Sequence, residues 1–220
     1  HGYITFPIAR QRRCNVQGGF WWPTDGSAIP DPMCRAAYQN VFNTVLQQGG
    51  SLNQAATAAQ YMFQQDNEYA ALAGSNFRDL NHIQNNVVPF DLCAAGANNW
   101  RRVPFGDKSG MDISGSWTPT GIPLESNTVG TGPIEFEFCP TAIHEPSFFE
   151  IYITVPNFNV FTDQVTWSQL ENIFTGPIPL VARRPDSLCN ANSRVYRITV
   201  GIPMRQTQFV LYVRWQRIDP

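Results

Sequence analysis

Two hydrophobic periods divide the chain. Asp31-Pro32 places an N-cap before a first-turn proline; Ala37, Val41 and Val45 follow at four-residue spacing, and Gly49-Gly50 stops the run. Ser51-x-x-Gln54 is a capping box and predicts a second helix, rich in Ala and Gln, to about Leu72, with Gly74 as its stop. Residues 1–30 read as turns with aromatics, and 74–122 as irregular and partly helical. Beyond that the period changes to two. Ile134-Glu135-Phe136-Glu137-Phe138 alternates strictly, and FFEIYIT (148–154), VYRITV (195–200) and QFVLYVRW (208–215) are β-branched and aromatic runs between Pro, Gly and Asn. The fold class this predicts is mainly β, an immunoglobulin- or fibronectin-III-like sandwich. A large, partly helical insertion, about 14–110, sits near its N-terminal end. No internal repeat or linker breaks 1–220, which reads as a single domain.

Composition narrows the partners. Only 15% of the 220 residues are charged and the formal net charge is −2, so the basic stripe of a nucleic-acid binder is missing. No apolar run approaches the roughly 18 residues that a membrane span needs. The first residue is His rather than Met, which reads as a cleaved N-terminus; removal of a secretory signal peptide is the simplest route. Five widely spaced cysteines without a CxxC pair then read as disulfides, one being left over, and spacing alone leaves the connectivity open.

The common catalytic motifs are absent: no phosphate loop, no GxGxxG, no GxSxG, no HExxH. His144-Glu145 is followed by Pro146 and lacks the second His of a zinc protease. Glu135 and Glu137 share one strand face, which reads as a solvated face over an aromatic core in preference to a glycosidase pair. Arg10 to Arg13 reads as a solvated basic loop. What remains is His1. Its α-amino nitrogen, with a pKa near 8, and its own imidazole can chelate one ion from a single residue. One further imidazole makes three nitrogens, a set that in tetragonal geometry selects copper. The competing reading of His1 is a frayed chain end.

Two segments weigh on that choice. HGYITFPIAR, running to Cys14, resembles the mature N-terminus of the lytic polysaccharide monooxygenases of auxiliary-activity family 10. TAIH (141–144) and IYITVPNF (151–158) resemble that family's histidine block and following strand. Within the family the similarity to a branch carried by insect poxviruses runs along the whole chain.

The resemblance implies a copper cofactor held by His1 and His144, with Ala142 beside the ion's axial face. It implies catalytic roles for Asp219, near the ion, and for Glu68, as an acid that steers oxygen species; a solvated place on the second helix is the other reading of Glu68. Tyr38 is expected on the sugar-facing surface, Trp21 and Trp22 stay undecided between surface and core, and His82 is expected to be structural or exposed. Cys14–Cys34 and Cys139–Cys189 are the expected disulfides, leaving Cys93. The family's final strand, with an axial aromatic residue, would follow residue 220. The implied function is oxidative cleavage of chitin, disrupting the insect gut lining to aid infection. It would use an external electron donor and oxygen or hydrogen peroxide. The implied setting is secretion and storage in viral spindles, a crystalline occlusion body, through self-assembly. A non-catalytic chitin-binding or crystal-forming matrix protein is the alternative.

Overall fold

A computed structural model describes residues 1–122 and 131–218, and the chain divides into two compact units. His1–Ala9, Thr118–Asp163 and Trp167–Pro220 form one; Arg10–Trp117 with Gln164–Thr166 form the other.

The first unit holds seven strands: β1 (Gly2–Phe6), β2 (Thr131–Pro140), β3 (Ser147–Thr154), β4 (Leu170–Gly176), β5 (Leu180–Ala182), β6 (Arg194–Pro203) and β7 (Leu211–Arg217). They pair antiparallel into a four-stranded sheet, β1-β2-β6-β5, and a three-stranded sheet, β4-β3-β7. Alternation decides what faces inward. Ile134, Phe136 and Phe138 of β2 meet Phe149, Ile151 and Ile153 of β3 and Tyr196, Val200 and Ile202 of β6 in one buried cluster. This is the expected sandwich. On the outer face Glu135 is exposed and ion-paired to Arg184. Glu137 departs from the solvated reading: it is buried, accepting from Thr5 Oγ1 (2.6 Å), Ser187 Oγ (2.6 Å) and Arg197 Nη2 (2.8 Å).

The second unit, drawn mainly from the segment between β1 and β2, holds three helices of eight residues or more: α1 (Arg10–Gln17), α2 (Pro32–Gln47) and α3 (Leu52–Gln64). Both predicted caps form. Asp31 Oδ1 accepts from the N–H groups of Met33 and Cys34 at 2.8 and 3.0 Å, and Ser51 and Gln54 exchange the reciprocal bonds of the capping box. Cys34, Ala37, Tyr38, Val41, Phe42 and Val45 of α2 pack with Ala55, Ala59, Met62 and Phe63 of α3.

Several expectations need correction. The basic run is a helix, not a solvated loop: Arg12 is buried against Asp66 at 3.1 Å, and Arg10 donates to the Met111 carbonyl. Strands β1, β4 and β5 carried no recognised pattern, and β7 begins at Leu211, not 208. The second helix stops at Gln64 rather than Leu72. Fully buried Lys108 donates through Nζ to the carbonyls of Gln65 (3.1 Å) and Glu68 (2.6 Å), drawing them out of a helical ladder. Among the described residues no helix is long and apolar enough to cross a membrane.

Candidate metal centre

The site begins with a glycine. Gly2 pairs with Pro140 and Tyr3 with Cys139, so β1 lies along the end of β2. A Cβ at Gly2 would run into the Phe138 ring and lie 2.7 Å from the Cys139 carbonyl oxygen; only glycine allows this approach. The pairing carries His1 to the turn after β2, where its carbonyl accepts from the N–H groups of Thr141 (2.9 Å) and Ala142 (3.4 Å). The Cys139–Cys189 disulfide ties the same strand end to the 183–193 loop, and the Tyr3 hydroxyl donates to Asn190 Oδ1 at 2.7 Å.

His144 stands on the far side of that turn. Tyr196 donates its hydroxyl to the His144 carbonyl at 3.2 Å, and the N–H of Ile218 reaches Pro146 O at 3.0 Å. The His144 ring lies 5.7 Å from Trp215. Trp215 packs against Phe138, Phe149 and Tyr196 at 5.0–5.9 Å. An aromatic wall, drawn from four strands of both sheets, thus backs one imidazole, while His1 is exposed.

The two imidazoles lie side by side, centroids 5.8 Å apart and planes 28° from parallel. Two imidazole nitrogens gripping one ion from opposite sides, with bonds of about 2.0–2.1 Å, set ring centres roughly 6 Å apart. The donor set fits a nitrogen-ligated ion. Among the described residues no group of three or more His, Cys, Asp or Glu side chains could hold a metal.

The remaining expected residues fall as follows. Ala142 is half-buried beside the His1 carbonyl. Asp219 lies outside the described residues. Glu68 sits past the end of α3, in the helical unit, within 3.0 Å of the Tyr61 hydroxyl; its placement on a helix is incorrect. Tyr38 is not at the surface: it is 0% exposed, between Phe42 and Phe63, and its hydroxyl donates to Thr24 O at 2.8 Å. Its register with Cys34 and Phe42 on the packed face of α2 overrides the surface reading. Trp21 and Trp22 are exposed. His82 is half-buried, its Nε2 3.1 Å from Ala73 O. Both expected disulfides are present, Cys14–Cys34 and Cys139–Cys189, and Cys93 is free. Sequence reasoning did not find Gly2, Trp215 or Tyr196 as residues that position the site. The inward places of the two aromatics follow from alternation once strand register is known; the role of Gly2 has no sequence signal.

Residues 1–220 match the family described as lytic polysaccharide mono-oxygenase, cellulose-degrading. The chain is 64% identical over 220 residues to spindolin of Heliothis armigera entomopoxvirus and 60% identical over 221 to spindolin of Choristoneura biennis entomopoxvirus. All of this chain is covered in both, but it spans only 63% and 65% of those curated relatives' length. A solved structure of an entomopoxvirus fusolin in complex with zinc is 83% identical, with TM-score 0.98, over 100% of this chain and 72% of that one; that fusolin enhances virulence and crystallises in vivo into viral spindles. A monooxygenase of the same kind from Kitasatospora papulosa, 22% identical, shares the fold at TM-score 0.60 over 99% of this chain and 90% of its own. A family match along every residue, with two imidazoles 5.8 Å apart beside the strand that the N-terminal motif builds, places this chain in the lytic polysaccharide mono-oxygenase family.

Proposed function

We propose that this protein cleaves chitin oxidatively with a copper ion held by His1 and His144. The observation that carries the reading is the pair of imidazoles 5.8 Å apart, with the His1 carbonyl bound to the turn that leads to His144. Once cleavage frees its α-amino group, His1 would offer two nitrogens from one residue and His144 a third; all-nitrogen donors suit copper. Copper, when bound, supplies reduction by an external electron donor and reaction with oxygen or hydrogen peroxide to break a strong C–H bond. The chain's part is to hold the donors rigid. The β1–β2 pairing fixes His1, the aromatic wall fixes His144, and Ala142 restricts approach beside His1 with a methyl group. An acidic role for Asp219 near the ion belongs to the same reading, as does one for Glu68. The polysaccharide is inferred from the relatives: they come from viruses of insects, whose structural polysaccharide is chitin. The same relatives support an entomopoxviral protein that enters spindles.

The test is mass spectrometry of chitin, and separately of cellulose, incubated with copper-loaded protein with and without ascorbate. Oxidised chito-oligosaccharides are expected only with ascorbate, and electron paramagnetic resonance should show a nitrogen-rich tetragonal signal. His144→Ala, and an alanine added ahead of His1, should abolish both signal and products. Products that survive either change overturn the site; oxidised cello-oligosaccharides in place of chitin products overturn only the substrate. The crystallising fusolin also favours a second reading, a self-assembling matrix protein without activity. Tight chitin binding with no oxidised product from copper-loaded protein would establish it.

A further inference from the structure

The helical unit contains a depression that the metal centre does not use, with a volume of about 430 Å³ between α3 and the segment 100–107. That lies within the range of about 300–1,000 Å³ typical of small-molecule sites. Asn53 and Thr57, four residues apart on one face of α3, line it, with Tyr61 one turn further on. Trp100, Arg102 and Asp107 line the opposite side.

The two aromatics are held in place. Trp100 donates its indole N–H to Gln48 Oε1 at 2.8 Å, and the Arg101 guanidinium lies 4.2 Å from its ring centre while donating to the Gln48 carbonyl at 2.9 Å. The Tyr61 hydroxyl lies within hydrogen-bond reach of Pro104 O (2.7 Å) and Glu68 Oε2 (3.0 Å). The polar groups, by contrast, keep unused hydrogen-bonding capacity. Asp107 is 2% exposed; its Oδ1 accepts both the N–H and the hydroxyl of Ser109, and its Oδ2 has no partner among the described residues. The side chains of Asn53, Thr57 and Arg102 likewise make no hydrogen bond or ion pair among them.

These features select a ligand class. A rigid aromatic side chain in the lining suits the C–H groups of a flat, weakly polar ring, and fixing it beforehand lowers the entropy cost of binding. One cation and one buried carboxylate, not paired with each other, suit a ligand that accepts and donates in turn while carrying no net charge. The carboxylate opposes a simple anion and Arg102 a simple cation. Hydroxyl groups on a ring satisfy all of these at once. We propose that the depression between α3 and residues 100–107 binds one sugar ring of a neutral oligosaccharide, seated on Trp100 and hydrogen-bonded by Arg102, Asp107, Asn53 and Thr57.

The inference is independent of copper, so its test uses the full, metal-free chain. Amide NMR spectra are followed while N,N′,N″-triacetylchitotriose, cellotriose or inorganic sulfate is added. At least one trisaccharide should produce saturable shifts at residues 53–61 and 100–107 and at the Trp100 indole. Thr57→Tyr, a change at an exposed helix position that fills the depression, should remove them, and Arg102→Ala should weaken binding at least five-fold while shifts elsewhere stay as in the parent. No saturable shift with either trisaccharide overturns the proposal, as do shifts that persist in Thr57→Tyr or a sulfate response stronger than the sugar's. Loss of chitin oxidation in His144→Ala leaves this result untouched, so the two readings fail separately.

Discussion

At the scale of single residues, the geometry of the candidate centre depends on a position with no side chain. Gly2 admits β1 against Phe138, and Phe138 cannot retreat because Phe149, Tyr196 and Trp215 surround it. Gly2→Ala therefore forces β1 away from β2 and draws His1 away from His144. Overpacking of this kind costs about 1–3 kcal/mol. A lowered melting temperature is expected, with at least a ten-fold loss of copper affinity by titration calorimetry. An unchanged affinity in the destabilised variant would mean that β1 register does not set the site. His1 stood out as a chelator from its own chemistry, but its pairing with His144 was legible only through the resemblance of two motifs. The two histidines lie 143 positions apart, and neither periodicity nor spacing links an exposed His1 to a His144 in a turn. Tyr38 went the other way: its aromatic ring suggested a sugar-facing surface role, whereas a buried tyrosine needs only one acceptor, here Thr24 O, to be at home in a core.

At the scale of elements, strands β2, β3 and β6 were readable because each has one face in the core. Helix α1 was not, because RQRRCNVQ has no apolar stripe; its place comes from the Cys14–Cys34 disulfide and the Arg12–Asp66 pair, contacts made with distant residues. Edge strand β4 is half-exposed along most of its length and so leaves little alternation. The outer face of β2 was misread at one residue, and that residue is testable. Burial alone would raise the Glu137 carboxyl, but hydrogen bonds from Ser187, Thr5 and Arg197 outweigh it and hold the group below its usual range. A lowered folded value stabilises above the unfolded pKa and fades as pH falls through the folded one. Glu137→Gln should lose about 1.5–3 kcal/mol at pH 7, the range for hydrogen bonds to a charged group. Thermal melts from pH 7 to pH 3 should show the gap between parent and variant closing below about pH 4, the lower end of the usual carboxylate range. A gap constant with pH would mean that the ionised form adds nothing to the network.

At the scale of the whole molecule, the two units respond to acid with opposite signs. Asp112, in the helical unit, is pushed up to about 7, chiefly by burial, although the Cys93 N–H donates to its Oδ1 at 2.8 Å. Its Oδ2 is buried with no hydrogen-bond partner among the described residues, which disfavours the charge further. Asp91 raises it too, while Arg10 opposes. The folded unit therefore keeps a proton on Asp112 that the unfolded chain releases near the ordinary carboxylate value of 3.8. A raised folded value gives stability that is fully present below the unfolded pKa and disappears as pH climbs through about 7. Asp66 and Asp107, also raised by burial, act in the same direction, and Lys108, pushed down to about 8, titrates above this window. Acidification from pH 7.5 to pH 5 should thus tighten the helical unit before Glu137 begins to weaken the sandwich. Hydrogen exchange read by mass spectrometry, corrected for intrinsic rates, should show amides of α2, α3 and residues 92–112 protected at least ten-fold more at pH 5, each unit of pKa difference being worth ten-fold in equilibrium. Strands β2, β3 and β6 should change little over the same interval. Asp112→Asn, which removes the proton linkage while keeping an Oδ1 acceptor for Cys93, should abolish most of the gain. Equal gains in parent and variant would assign the effect to other groups, and greater protection at pH 7.5 would reverse the sign argued here.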